Sequence, residues 1–131
     1  MVPRMTQSLQ QKPTAAELEI LQVLWTRGPS TVREVHEALK KPLGYTSVLK
    51  LMQIMTAKGL VWRDEAQRAH VYEACQPAEK TKRQLAVDMI QRVFDGSARE
   101  LMLHALADRP ASKDEIEELR QLLDEYERRA Q

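Results

Sequence analysis

The sequence predicts a mainly α-helical protein that carries one small β-hairpin, and three observations predict this fold class. Four Ser or Thr residues are each followed three positions later by Glu, a spacing that marks helix starts. Apolar residues recur at helical spacing over most of the chain. Two short runs rich in Val, Trp and Tyr, at residues 60–64 and 69–73, instead have the composition of strands.

Three helices are predicted before the strands. The first begins after Thr14, has an apolar stripe on one side and ends at Gly28, which is followed by proline. The second begins after Thr31 and ends before Pro42, because the residue preceding a proline is disfavoured in helical geometry. A short turn then leads to a third helix at residues 46–58, which is ended by a glycine.

The third helix has two chemically different faces when its residues are placed at about 100° per residue. One face is apolar and consists of Val48, Leu51, Met52 and Met55. The opposite face has no carboxylate and consists of Thr46, Lys50, Gln53 and Ala57, with Ser47 nearby in the first turn. We expect the first face to lie in a core and the second to lie at the surface.

The two strands are predicted to form one hairpin, because only residues 65–68 separate them. This connection contains no glycine, so the sequence assigns no tight turn type to it. Arg63 and Arg68 flank the tip of the hairpin. Three short helices followed by a hairpin are the element order of a winged helix-turn-helix, in which the third helix enters the major groove of DNA and the hairpin is the wing.

Residues 77–131 are predicted to form three further helices, of which the second is apolar nearly all round and is expected to be covered on most sides. So short a segment cannot bury all of its apolar side chains, and a second copy of the chain is the expected partner. The residues assigned to this dimer contact are Leu101, Leu106, Ile116, Leu119, Leu122, Leu123 and Tyr126. The predicted domains are a flexible tail at residues 1–12, a winged-helix domain at residues 13–76 and a helical dimerisation domain at residues 77–131.

The net charge of +1 is unevenly distributed along the chain. Residues 1–76 contain 10 Lys or Arg and 7 Asp or Glu, whereas residues 77–131 contain 10 and 12. The stretch between Glu37 and Asp64 has no acidic residue. Its basic residues are Lys40, Lys41, Lys50, Lys58 and Arg63. A local field of one sign is what a polyanion-binding surface needs.

Several other functions have little support in the sequence. No Gly-rich phosphate loop, HExxH pattern or nucleophile elbow indicates an enzyme. The lone Cys75 and the three scattered histidines do not suggest a metal site, so no cofactor is expected. The apolar stretches are too short to span a membrane and residues 1–12 lack a secretory signal, so we expect a cytoplasmic protein without membrane insertion.

These observations predict a transcription regulator that binds double-stranded DNA as a homodimer. The residues predicted to contact DNA are Tyr45, Thr46, Ser47, Lys50 and Gln53 in the third helix and Arg63 and Arg68 in the wing. A two-fold dimer would present two recognition helices to a palindromic operator. The rival hypothesis is a protein-interaction module that uses the winged helix as a scaffold without DNA. Salt distinguishes the two, because DNA binding weakens steeply as ionic strength rises.

Four segments of the chain have a familiar sequence. They are TAAELEILQVLW from Thr14, GYTSV from Gly44, KGLV from Lys58 and DEIEELR from Asp114. Together they resemble the BlaI/MecI/CopY family of penicillinase-type repressors over residues 12–126. The resemblance implies a winged-helix head, a helical dimerisation tail and repression by occupying a palindromic promoter site, often of a TACA/TGTA type. It also implies that Thr46, Ser47 and Lys50 lie in the recognition helix.

Departures from the family pattern bear on the inducing signal. Copper-responsive members end in paired Cys-x-Cys motifs, and the tail of this chain has no cysteine, so copper sensing is not expected. In β-lactam-responsive members a membrane sensor protease triggers cleavage of an Asn-Phe bond, and the corresponding pair here is His104 and Ala105. The resemblance therefore implies a cleavage region at this pair and an activating protease as a partner. The wing has Ala66 and Gln67 where relatives commonly have a glycine.

Overall fold

The computed structural model describes residues 12–130, which form six helices and three short strands. The helices are α1 (Ala15–Arg27), α2 (Val32–Ala38), α3 (Tyr45–Lys58), α4 (Ala78–Val93), α5 (Ala98–Ala107) and α6 (Lys113–Ala130). The strands are β1 (Ser30–Thr31), β2 (Val61–Asp64) and β3 (Val71–Ala74). The predicted fold class, a winged helix-turn-helix head followed by three helices, is confirmed. The predicted tail at residues 1–12 lies outside the described residues except for Lys12.

Side-chain caps determine where α1 and α2 begin. The Thr14 hydroxyl accepts a hydrogen bond from the Glu17 N–H, and the Glu17 carboxylate accepts one from the Thr14 N–H at 2.9 Å. Thr31 and Glu34 form the same reciprocal pair at the start of α2. The hydrogen bond from the Thr31 backbone lowers the pKa of the Glu34 carboxyl below its ordinary value. Of the four predicted capping boxes, those of α1 and α2 are therefore confirmed, whereas at Ser97 and Ser112 only the hydroxyl accepts a hydrogen bond.

The core of the head lies between the first three helices and the sheet. Its buried apolar side chains are Ile20, Leu21, Leu24, Val32, Val35, Val48, Met52, Met55, Leu60, Val61 and Tyr72. The predicted apolar face of α3 is confirmed, because Val48, Met52 and Met55 are each 0% exposed. Removing such a side chain from water contributes roughly 1.5–3 kcal/mol to stability. The core therefore determines which side of α3 remains at the surface.

The three strands form an antiparallel sheet in the order β1-β3-β2. Asp64 pairs with Val71, so residues 65–70 form the connection of the hairpin. The predicted start of the second strand, at residue 69, is therefore wrong. The Ala66 N–H donates to the Asp64 carboxylate at 2.9 Å, which turns the chain without a glycine.

The strand β1 was not predicted from the sequence. Its two residues pair with β3, Ser30 with Tyr72 and Thr31 with Val71. Ser30 is buried, and its hydroxyl donates to the Gly28 carbonyl oxygen at 2.9 Å. A strand of two residues is too short to show an alternating pattern, so only its pairing with β3 defines it.

The chain divides into two compact units between residues 87 and 88, inside α4. The first unit extends past the predicted boundary at residues 76 and 77 because the start of α4 belongs to the head. Thr81 is buried there, and its hydroxyl donates to the Gln76 side-chain oxygen at 3.3 Å. The Trp25 indole N–H also donates to the Gln76 carbonyl oxygen at 2.9 Å.

The second unit contains the end of α4 together with α5 and α6. No residue of α5 or α6 is buried. The expectation that α5 is covered on most sides is therefore wrong for the single chain, because two helices and part of a third make a thin layer. Within residues 12–130, no helix has both the length and the apolar character that crossing a membrane requires.

Candidate nucleic-acid interface

The exposed side of α3 lies opposite the face that the core covers. The five residues of α3 that were predicted to contact DNA are all exposed, namely Tyr45, Thr46, Ser47, Lys50 and Gln53. α3 contains no Asp or Glu, so no carboxylate of this helix repels a phosphate. All five side chains are therefore accessible on the part of α3 that the core leaves uncovered.

A side chain of α2 holds the turn that leads into α3. The Nε2 atom of His36 lies 2.8 Å from the carbonyl oxygen of Leu43, and since a carbonyl only accepts, this nitrogen donates. The His36 ring also meets the Tyr45 ring edge-on, with 6.0 Å between the ring centroids. The N-cap residue of α3 is Gly44, which has no side chain to bond the first-turn N–H groups. These N–H groups are a favourable site for an anion such as a phosphate.

Ion pairs neutralise part of the basic stretch that the sequence singled out. The Lys58 Nζ atom lies 2.8 Å from Glu17 Oε1, and the Lys41 Nζ atom lies 3.4 Å from Glu19 Oε1. Both carboxylates come from α1. A segment without acidic residues in its own sequence therefore still lies beside carboxylates in the folded protein. Among residues 12–130, Lys50 makes no ion pair and remains free to contact a phosphate or a base.

The pair of Glu17 and Lys58 joins the start of α1 to the end of α3 and was not predicted. Both Glu17 carboxylate oxygens accept from the Lys58 ammonium, at 2.8 and 3.0 Å. The Glu17 side chain is 2% exposed, whereas the Lys58 side chain is 21% exposed. The sequence marks Glu17 only as a member of a capping box. Its partner is 41 residues away, at a separation that no local pattern indicates.

The two arginines of the wing have different surroundings. The Nε and Nη2 atoms of Arg63 donate to Glu65 Oε2 at 2.9 and 2.6 Å. Hydrogen bonding to Tyr72 and to Glu65 raises the pKa of Arg63 above its ordinary value. Arg68 is exposed in the connection of the hairpin and forms no ion pair with any described residue. Arg68 is therefore more accessible to a phosphate than Arg63.

The residues assigned to dimerisation all lie in α5 and α6, and most are exposed. Exposed are Leu106, Ile116, Leu122, Leu123 and Tyr126, whereas Leu101 and Leu119 are partly buried. The most exposed of them, Leu123, has 67% of its surface open to solvent. His104 and Ala105, the predicted cleavage region, are exposed residues inside α5. An apolar face of α6 is thus left uncovered by the single chain.

Sites of other kinds find little support in the described part of the chain. Residues 12–130 contain no group of three His, Cys, Asp or Glu side chains that could hold a metal ion. Cys75 is partly buried after β3, where its N–H donates to the Leu60 carbonyl oxygen at 3.0 Å. The polar face of α3 and the adjoining wing are therefore the candidate functional site.

A helix-turn-helix whose last helix exposes a polar face, followed by a wing, defines the class of winged helix-turn-helix regulators. The sequence matches the penicillinase repressor family over residues 13–125. The chain therefore belongs to the penicillinase repressor family and is a transcriptional repressor of the BlaI/MecI type.

Two relatives found by sequence, BlaI and MecI, agree with this family membership. The chain is 34% identical over 114 residues to the transcriptional regulator BlaI of Mycobacterium tuberculosis, covering 85% of this chain and 82% of that protein. It is 22% identical over 112 residues to the methicillin resistance regulatory protein MecI of Staphylococcus aureus, covering 84% and 91%. The transcriptional regulator Tm0710 from Thermotoga maritima has a crystal structure that aligns with a TM-score of 0.47 and 20% identity, covering 86% of this chain and 77% of that one.

Proposed function

We propose that this repressor binds duplex DNA as a homodimer on a dyad-symmetric operator. The observation that carries the proposal is the division of α3 into a face fully buried at Val48, Met52 and Met55 and an exposed face without carboxylates. The major groove is wide enough to admit such a helix, and the base edges there distinguish all four base pairs. The core holds the helix in place while its free side meets the DNA.

The exposed residues of α3 have the chemistry that this role requires. Thr46 and Ser47 have short hydroxyl groups that donate to phosphates or base edges. Lys50, one turn later, reaches a guanine edge or a phosphate, and Gln53 matches the paired donor and acceptor of an adenine edge. Tyr45 contacts the sugar-phosphate chain beside the uncapped first turn of α3.

Dimerisation is supported by the apolar face that α6 leaves uncovered. Ile116, Leu122, Leu123 and Tyr126 are exposed at helical spacing, which is costly in water and favours pairing with a second copy. Two-fold pairing is the commonest form of self-association, and it places two recognition helices on one operator. The net negative charge of residues 77–131 suits a module that is held away from DNA.

Release by proteolysis is proposed from the family resemblance. The corresponding bond joins His104 and Ala105, which are both exposed. It lies inside α5, so this helix has to unwind locally before the bond can enter the extended cleft of a protease. Cleavage there would separate α6 from the head and so remove the dimer contact. A membrane sensor protease or another activating protease is the partner that this step requires.

Replacement of Lys50 by Ala is expected to weaken operator binding by about 1–3 kcal/mol, because a base or phosphate contact is lost. The measurement is fluorescence anisotropy with a duplex selected from a random pool, at several salt concentrations. Lys113→Ala is the matched control, since it removes the same charge from an exposed position at the start of α6.

Salt separates the proposal from the rival role as a protein-interaction module. Wild-type binding should weaken steeply from low to physiological ionic strength, and Lys50→Ala should make this dependence shallower if Lys50 contacts a phosphate. Equal binding by wild type and Lys50→Ala would show that α3 does not face the DNA. Absence of binding to every duplex at low salt would instead support the rival role.

The ion pair of Arg63 and Glu65 near the tip of the wing leads to a second prediction about binding. Arg68→Ala is expected to lower the salt dependence by about one phosphate contact, and Arg63→Ala by less, because Glu65 already occupies Arg63. Glu65→Gln is expected to strengthen binding, since it frees Arg63 and removes a negative charge near the phosphates. The same anisotropy titrations test all three variants. A larger loss from Arg63→Ala than from Arg68→Ala would contradict this assignment.

A further inference from the structure

The exposed side of α3 changes in character along the helix. As far as Gln53 its exposed residues all carry polar groups, whereas beyond Gln53 it exposes Ile54 and Ala57, which lie three residues apart on neighbouring turns. Ile54 is 39% exposed and follows Lys50 by four residues, so the two side chains are neighbours on the helix surface. The function proposed above uses the residues as far as Gln53 and leaves this apolar pair without a role.

Between residues 12 and 76, exposure of large apolar side chains is confined to α3. Among the large hydrophobic residues at positions 12–76, only Tyr45 and Ile54 are exposed. Ile54 is not part of the core. Leu49 and Leu51, which precede it in α3, pack against the core instead. A single exposed aliphatic residue is ordinary in a protein surface. Its position on the helix that faces DNA is what gives Ile54 a specific significance.

The major groove has one apolar group on its base edges, which is the 5-methyl group of thymine. We propose that Ile54, flanked by Ala57, contacts a thymine methyl group in each half-site and so selects a T·A pair there. This inference rests on the proposed function, because it requires α3 to lie in the groove. A partner protein is a less suitable occupant, since one isoleucine and one alanine on a narrow helix offer too little apolar area for a stable interface.

The test uses duplexes in which each thymine of the selected half-site is replaced in turn by deoxyuridine, which removes only the methyl group. Wild type is expected to bind about fourfold more weakly per half-site at one such position, the effect of burying one methyl group. Ile54→Ala should bind the thymine duplex more weakly and lose the distinction between thymine and uracil. Ile54→Val, which keeps a branched side chain, should retain most of it.

The outcomes separate this inference from the function on which it rests. If wild type binds the selected duplex in a salt-dependent way but is indifferent to uracil at every position, the role of Ile54 is wrong and the DNA-binding role stands. Retention of the thymine preference by Ile54→Ala would also overturn the assignment. Failure to bind any duplex would overturn the proposed function itself. Thermal unfolding of both variants should match wild type, because Ile54 lies outside the core.

Discussion

Replacement of Lys58 by Met is expected to lower the free energy of unfolding by about 3 kcal/mol, because it breaks a largely buried ion pair. The Glu17 carboxylate is almost fully buried, and the Lys58 ammonium is its only cationic partner among the described residues. Removing that partner leaves the Glu17 carboxylate unpaired at a position that water hardly reaches. Because the Lys58 side chain remains 21% exposed, water relieves part of the cost and the effect falls at the low end of the range for buried pairs.

The measurement is urea denaturation of the full chain at one fixed protein concentration, since dimerisation would make stability depend on concentration. Lys41→Met is the matched control, because Lys41 pairs with Glu19 at the surface and should change stability by less than about 1 kcal/mol. Adding Glu17→Gln to Lys58→Met should recover part of the loss, because it removes the stranded charge. Equal stability of wild type and Lys58→Met would show that the pair does not join α1 to α3.

Replacement of Leu123 by Glu is expected to raise the dimer dissociation constant by about a hundredfold or more. Burying one leucine contributes roughly 1.5–3 kcal/mol, and a two-fold interface contains the substitution twice. The new carboxylate would also have to lose water in the interface, which adds to the cost. Sedimentation velocity over a range of concentrations measures the change, and operator affinity should fall with it, because a monomer engages only one half-site.

Gln121→Glu is the matched control for this experiment. It introduces the same residue into α6, two positions away and on the side opposite Leu119 and Tyr126. The control should remain dimeric and bind its operator as wild type does. A monomeric wild type, or a Leu123→Glu variant that dimerises normally, would contradict the assignment of this face to self-association.

Local signals explain why much of the fold could be predicted from the sequence. A capping box acts within four residues, so Thr14 with Glu17 and Thr31 with Glu34 mark their helix starts without knowledge of anything else. The two faces of α3 likewise follow from the helical period alone. The helical period therefore predicted correctly that the polar residues of α3 in the candidate site are exposed.

Features that depend on pairing between distant segments could not be predicted in the same way. The register of β2 on β3 determines where the second strand begins, and β1 exists only because β3 lies beside it. The charge of the candidate surface is another example. Lys58 looked free in the sequence, but the fold places a carboxylate of α1 against it. The burial of the apolar side chains of α5 and α6 also depends on a partner surface, which the single chain does not supply.

The sequence by itself determined which helices form, which side of α3 is apolar and which family the chain belongs to, because these depend on local spacing and on matching segments. Only the tertiary structure decided which basic side chains remain free. Charge pairing acts between atoms a few ångströms apart in space, and residues 17 and 58 meet only after α1 and α3 have packed on the same core. Among the described residues of the candidate site, Lys50 and Arg68 are cations that make no ion pair.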